Sequence, residues 1–299
     1  MKFSKAVRKR WRLDTPMLVP AQWQGSVEHF YHFFFGYFMP ITIWLEKNPC
    51  PRITVRDCGP MNPWFELLNK QTEISLIQPG VMLQRTLTNL QKNQVFWGWD
   101  DPSHFQSKNL KKFRDAHGKR LNLPVHTDSS ETKNVTVLIR GESSSFFDSQ
   151  SEVLGSGSAA RSIGNLGQID AHLNGYTSLS IIDTAVMTPE DQIRAIWDTD
   201  ILVAQHGAGL SNMVWMRPGA TVVEIQPPLA PVIDTIFSNL AAACGLKHSV
   251  IPQTDAHADV DVATLSEHVR NLMVYDIAVV PQIQGTKLFQ FIRALPRGW

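Results

Sequence analysis

The residues best suited to chemistry in this chain are 206–216, HGAGLSNMVWM. Gly207 and Gly209 carry no side chain, so backbone amides there can approach a ligand closely. A helix starting just after such a turn aims unsatisfied N–H groups and the positive end of its dipole at the same spot. Turns of this kind bind phosphate, and His206 stands at the lip. The amides of Gly207, Ala208, Gly209 and Leu210 are the candidate donors. The same glycines also suit a close helix–strand crossing, and both uses can hold at once. Asn212 either caps a backbone turn or reaches a ligand. The stretch points to a nucleotide or a phosphorylated sugar.

Two apolar runs, 201–204 and 221–225, flank the motif and read as strands. Upstream, 135–139 and 178–182 are further strands, 161–173 is a helix ending near Asn174-Gly175, and 141–160 is a Ser/Gly-rich loop. Thr188-Pro189-Glu190-Asp191 starts a helix: Thr caps, Pro takes the first position, and Asp191 closes the box. Downstream come a helix over 231–243 stopped by Gly245, a strand at 248–251, and helices at 265–272 and 288–295. Strands alternating with helices imply a parallel sheet.

The first half reads less regularly. Strands are expected at 17–22, 53–55, 73–78 and 81–84. Residues 27–45 are apolar nearly all round and form a buried helix that Pro40 bends or ends. Asn62-Pro63 starts another helix. Residues 98–133 are polar, and the domain boundary falls near their end. Just before them, Phe96-Trp97-Gly98-Trp99-Asp100-Asp101 mixes stacking faces with carboxylates, which suits either sugar binding or plain packing.

With 299 residues, 43% of them hydrophobic, the chain fits one large domain or two small ones. The net charge of +1 gives no global field that would favour nucleic acid or acidic lipid. The basic start (Lys2, Lys5, Arg8, Lys9, Arg10, Arg12) is a solvated tail. Cys50, Cys58 and Cys244 form no CxxC pattern, which argues against zinc; Cys50 and Cys58 could pair only if the chain folds back between them. Residues 33–45 are too short for a bilayer span, which takes about 20 residues. Asn134-Val135-Thr136 is a lone glycosylation sequon opening a strand. Asp100-Asp101 is not a metal-binding DxD, and no metal or cofactor is expected.

HGAGLSNMVWMRPGATVVEI, residues 206–225, resembles the signature of glycosyltransferase family 61. Val137-Leu138-Ile139-Arg140 resembles the family strand ending in Arg. Arg161-Ser162-Ile163-Gly164-Asn165 resembles its Arg-Arg-Ile-x-Asn element, with Ser162 for the second Arg. Residues 179–197 resemble its strand, turn and helix. HFFFGYFMP, residues 32–40, resembles its His-apolar-apolar-apolar-Asp…Pro helix, with Gly36 in the place of the acid. The resemblance is good over 135–228 and thin before 130. The chain is short for the family and shows no signal or anchor; a complete chain would be cytoplasmic, a fragment would belong to the ER or Golgi lumen.

The resemblance implies an α/β GT-B fold of two Rossmann-like halves facing a cleft. Residues 1–130 would take the acceptor and 131–260 the sugar nucleotide, with 261–299 as C-terminal helices that can pack back on the first half. The implied reaction moves a sugar from a UDP-sugar to a hydroxyl of a glycan or glycoprotein, inverting the anomeric centre. Arg140 and Arg161 would stabilise the leaving diphosphate. His206 would contact a diphosphate oxygen or the donor sugar, and Asn165 would support the loop. Glu224 either takes ribose hydroxyls or forms a salt bridge. His32 is the first candidate for the acceptor-activating base, from an imidazole near its ordinary pKa of ~6.5, and Glu28 the second. Trp97, Trp99 and Asp100 would line the acceptor side. Two other readings stand beside it: a family member that binds without catalysis, suggested by Gly36 and Ser162, and a nicotinamide-dependent oxidoreductase, which lacks the third glycine.

Overall fold

The computed structural model describes residues 16–19, 29–68, 72–77, 87–89, 105–125, 133–142, 157–173, 178–228 and 235–275. Nine strands form two all-parallel sheets. β1 (Met17–Val19), β2 (Arg52–Arg56), β3 (Glu73–Ile77) and β4 (Leu87–Asn89) make the first, in the order β3-β2-β1-β4. β5 (Asn134–Ile139), β6 (Ser178–Asp183), β7 (Ile201–Gln205), β8 (Thr221–Gln226) and β9 (Lys247–Pro252) make the second, in the order β6-β5-β7-β8-β9. The second order is that of an open doubly wound sheet, whose direction of winding reverses between β5 and β7. In such sheets the crevice beyond the carboxyl ends of the strands at that reversal is the usual ligand site. β5 runs out into Arg140, and β7 into His206 and Gly207.

Side-chain parity divides the second sheet's contacts. Leu138, Leu202, Ala204 and Val222 join one apolar cluster, shared with the aromatic side chains of the first half. Val135, Val137, Ile201, Val203, Val223 and Ile225 join a second. Both faces of β5, β7 and β8 are therefore covered, which is why they read as unbroken apolar runs.

Helix α1 (30–47) lies between β1 and β2. Its middle, Phe34–Phe38, is a π-type turn, in which the Met39 amide donates to Phe34 O. Pro40 has no amide to donate and its ring crowds the preceding turn. The widened turn just ahead of it accommodates that, so the helix neither ends nor breaks at Pro40 and runs on to Lys47. Phe33, Phe34, Tyr37, Phe38 and Met39 are fully buried. Each contributes about 1.5–3 kcal/mol from burial. Tyr37 Oη donates to Leu18 O and accepts from Arg56 N, both at 2.7 Å, tying the helix to the first sheet. The helix expected at Asn62-Pro63 starts earlier, as a 3-10 segment over Gly59–Leu67; Asn62 instead accepts from Cys58 N at 2.8 Å.

The polar stretch 98–133 contains helix α2 (Ser107–Arg120). Its lysines face solvent, while Leu110, Phe113, Arg114 and His117 are buried. Gly118 lets it pass Trp197; a Cβ there would lie inside van der Waals contact of that ring.

Further on, α3 (Gly157–Ala160) and α4 (Leu166–Leu173) replace the single helix expected from 161 to 173. Residues 161–163 are not helical, and Ser162 N bonds to Ala256 O at 2.8 Å rather than within a helix. α5 (Pro189–Trp197) has the expected cap: Asp191 N donates to Thr188 Oγ at 3.2 Å, and the Thr188 hydroxyl to Asp191 Oδ2 at 2.6 Å. α6 (Ile236–Cys244) ends on Gly245, whose φ of 71° suits a left-handed C-terminal cap. α7 (Val262–Tyr275) places Val262, Leu265 and Val269 with Ile169 and Leu173 of α4. This part of the C-terminal segment thus packs on the second half, not the first, because its apolar stripe matches the α4 face. The expected strand at 81–84 and helix at 288–295 lie outside the described residues. Cys50, Cys58 and Cys244 are not paired with one another in disulfides. Among the described residues no helix is long and apolar enough to cross a membrane.

Candidate functional site

The carboxyl ends of β5 and β7 bring three of the expected residues together. Arg140 Nη1 and Arg161 Nη1 both donate to the His206 carbonyl, at 3.3 and 3.1 Å. Arg140 Nε also donates to Gly157 O at 3.1 Å. Burial, and then the charge of Arg161, lower the Arg140 guanidinium to about 10; burial lowers Arg161 as well. Both remain charged at neutral pH. Among the described residues neither forms an ion pair, so two like charges share one carbonyl with no carboxylate between them. A buried or half-buried cation without a counter-ion is costly. A bound anion would relieve that cost.

Gly207 is needed for this approach: a Cβ there would collide with Arg140 Nη1. Gly209 has a different task. Its Cβ would fall 2.8 Å from Leu138 Cδ2, so the bare glycine lets the following segment cross close to β5. That segment, Ala208–Trp215, is a 3-10 helix and not an α-helix. Leu210 N donates to Gly207 O at 2.9 Å, and the Ala208 and Gly209 amides precede that first bond. Leu210 is fully buried. Asn212 is also fully buried and its Nδ2 donates to Gly209 O at 3.2 Å, so it holds the turn.

His206 points to the face opposite Gln205. Its Nδ1 lies 2.5 Å from Glu224 Oε1, and Phe237 covers its ring at 5.0 Å between centroids. Glu224 is 0% exposed, and its second oxygen lies 2.8 Å from His248 Nε2. Both oxygens of Glu224 are thus engaged by histidines, as in the salt-bridge alternative.

Asn165 clamps the Val260 backbone, donating to its O at 2.9 Å and accepting from its N at 3.0 Å. It therefore anchors the 255–260 segment against the start of α4. Two buried amides, Gln205 and Gln253, do the positioning of Arg161. Both donate from Nε2 to Ser162 O at 3.0 Å, and Gln205 Nε2 also reaches Gln253 Oε1 at 2.6 Å. Ser162 Oγ lies 2.9 Å from His257 Nδ1. Gln205 was detectable in principle, as a lone polar residue closing an apolar strand. His248 and Gln253 carry no such signal.

His32 lies on α1, with its ring edge-on to Tyr31 at 5.5 Å and to His29 at 6.1 Å. Burial, then His29, lower it to about 4, so it is neutral at pH 7 and a weaker base than its ordinary value suggests. Tyr31 meets Phe237 at 6.1 Å, which places the start of α1 near the ring that covers His206. Glu28, Trp97, Trp99 and Asp100 lie outside the described residues. Among the described residues no group of three or more His, Cys, Asp or Glu could hold a metal ion.

A family model described as Glycosyltransferase 61 matches residues 30–223, roughly two thirds of the chain. The match begins at Phe30 on α1, so it takes in much of the first half, where the sequence motifs are faint. No curated protein matches the sequence. The chain belongs to glycosyltransferase family 61, and membership implies transfer of a sugar from a donor to an acceptor.

Proposed function

We propose that this protein is an inverting glycosyltransferase that moves a sugar from a UDP-sugar to a hydroxyl of a glycan or glycoprotein. The observation that carries the reading is the pair Arg140 and Arg161, converging on one carbonyl at the reversal point of the sheet with no ion-pair partner among the described residues. The diphosphate binds there, with the Ala208 and Gly209 amides beside it. As the glycosidic bond breaks, negative charge grows on the leaving diphosphate, and fixed guanidinium groups stabilise it where a metal would otherwise serve. In this reading the chain is GT-B-like. Residues 1–130 form the acceptor side, 131–260 the donor side, and 261–299 an appended segment. Two histidines compete for the proton of the acceptor hydroxyl, His32 on the first half and His206 on the second.

Titration calorimetry with UDP tests the donor site. Arg140→Ala and Arg161→Ala should each weaken UDP by roughly ten-fold or more, since a charge-assisted contact is worth about 1.5–3 kcal/mol. No binding to the unaltered protein at millimolar UDP overturns the reading. Release of UDP from a panel of UDP-sugars identifies the donor. That release should persist in EDTA; complete loss, restored by manganese, would assign the diphosphate to a metal instead.

A further inference from the structure

In the buried unit His206–Glu224–His248, Glu224 engages one ring nitrogen of each histidine, Nδ1 of His206 and Nε2 of His248. Burial alone would raise the Glu224 carboxyl, but hydrogen bonds to His206 and His248 outweigh it and hold the group below its ordinary value. Glu224 is therefore ionised. An ionised carboxylate can only accept, so His206 Nδ1 and His248 Nε2 carry the protons. With the Nδ1 proton directed at Glu224, the uncharged form of the His206 ring has its lone pair on Nε2. Among the described residues no hydrogen bond is formed by that atom, and the residue keeps 4% of its surface exposed.

The two cations at this residue face elsewhere. Arg140 and Arg161 bind the His206 carbonyl, not its ring. The groups around the ring are thus Glu224 at Nδ1, His248 behind Glu224, the two arginines on the backbone side and the apolar Phe237 across its face. A lone pair cannot donate to a phosphate oxygen, but it can accept from a hydroxyl.

We infer that His206 Nε2 takes the proton of the acceptor hydroxyl, with Glu224 and His248 as positioning residues that orient the ring. The inference rests on the transfer reading above. In the step, the acceptor O–H bond breaks and its proton passes to Nε2. The oxygen forms a bond to the anomeric carbon. The bond from that carbon to the diphosphate breaks, and its electron pair leaves on the phosphate oxygen beside Arg140 and Arg161. Glu224 and His248 both lie beyond the residues matched by the family, 30–223.

The experiment separates ring from backbone. His206→Ala keeps the carbonyl that orders the arginines, so UDP affinity should hold while turnover falls roughly a hundred-fold or more. UDP calorimetry on the unaltered protein at pH 7, in buffers of different ionisation enthalpy, should show no proton uptake. Uptake of one proton would make His206 an imidazolium ligand of phosphate and overturn the inference. His248→Phe should lower kcat at constant UDP affinity and shift the acid limb of the kcat profile, and His248→Gln, whose amide can donate to Glu224, should restore both. Equal loss in the two variants, or a parallel fall in UDP affinity, overturns the positioning role. If either variant fails to fold, nitrogen-15 spectra of the unaltered protein decide: a neutral His206 protonated at Nδ1 supports the inference, and protonation at Nε2 overturns it. Failure of the unaltered protein to bind UDP overturns the transfer reading and this inference together; UDP binding with proton uptake removes this inference alone.

Discussion

The crevice at the end of the second sheet and the aromatic seam between the two halves both keep polar groups from water, to opposite ends. In the seam, Phe34, Phe38, Phe113, His117 and Trp215 meet at centroid distances from 4.3 to 6.0 Å. His117 Nε2 and Trp215 Nε1 are buried there with no partner. Those groups are neutral, and the rings around them more than offset their cost. In the crevice the two guanidinium groups are charged and, among the described residues, meet only carbonyl oxygens. Arg217, at the far end of the same sheet, shows the structural use of an arginine: it holds Asp200 Oδ1 at 2.6 and 3.0 Å. If, as proposed, binding belongs to the crevice while the seam supplies stability, each should be removable without the other.

The largest effect expected is on the seam side. Phe113→Ala empties a site on α2 that touches both halves, and should cost about 3–5 kcal/mol of unfolding free energy. UDP affinity of the folded fraction should stay as it was. A denaturant titration beside UDP calorimetry checks both. If UDP affinity falls with stability, seam and crevice are one unit.

Acid should act on the seam next. Burial first of all lowers His117 to about 4, well under its unfolded value of ~6.5. Between those values unfolding takes up a proton, so stability is full above pH ~6.5 and is lost as pH falls towards 4. For His117 the loss is up to about 3 kcal/mol at the lower end. His32, also lowered to about 4, and Glu224, lowered by its histidines, act in the same direction. His117→Phe should flatten the curve between pH 6.5 and 4. A curve unchanged by that substitution would move the acid sensitivity to His32 and Glu224.

The same contrast explains what could be read from the amino-acid order. Crevice elements were legible because β5, β7 and β8 are buried on both faces and Thr188-Pro189 has a local cap. The seam was not. α2 carries its buried Leu110, Phe113 and His117 among lysines, so average polarity hid a helix that joins the halves. The π-type turn that lets α1 pass Pro40 has no sequence mark either. Within the site, Arg140 and His206 followed from strand ends, while Arg161 was expected on a helix and lies in a non-helical segment held by Gln205 and Gln253. His248 could not be inferred from a separation of 24 residues from Glu224. It arrives there because the parallel register pairs Val222 with His248.

The two motif glycines give the finest test of the contrast, because they are two residues apart and face different regions. Gly207 backs onto the Arg140 guanidinium, and Gly209 onto the Leu138 methyl in the apolar cluster shared by the halves. In Gly207→Ala the new methyl collides with Arg140 Nη1, so the guanidinium must move. UDP affinity should drop by the worth of that contact, about 1.5–3 kcal/mol, with stability nearly unchanged. In Gly209→Ala the methyl presses on Leu138, and overpacking should cost stability by about 1 kcal/mol while UDP affinity holds. From sequence alone Gly209 suited both a ligand's approach and a close crossing; the packing against Leu138 shows the crossing. Melting curves and UDP calorimetry on both variants decide the matter. If Gly209→Ala loses UDP and Gly207→Ala does not, the phosphates lie along the 3-10 helix and not against Arg140.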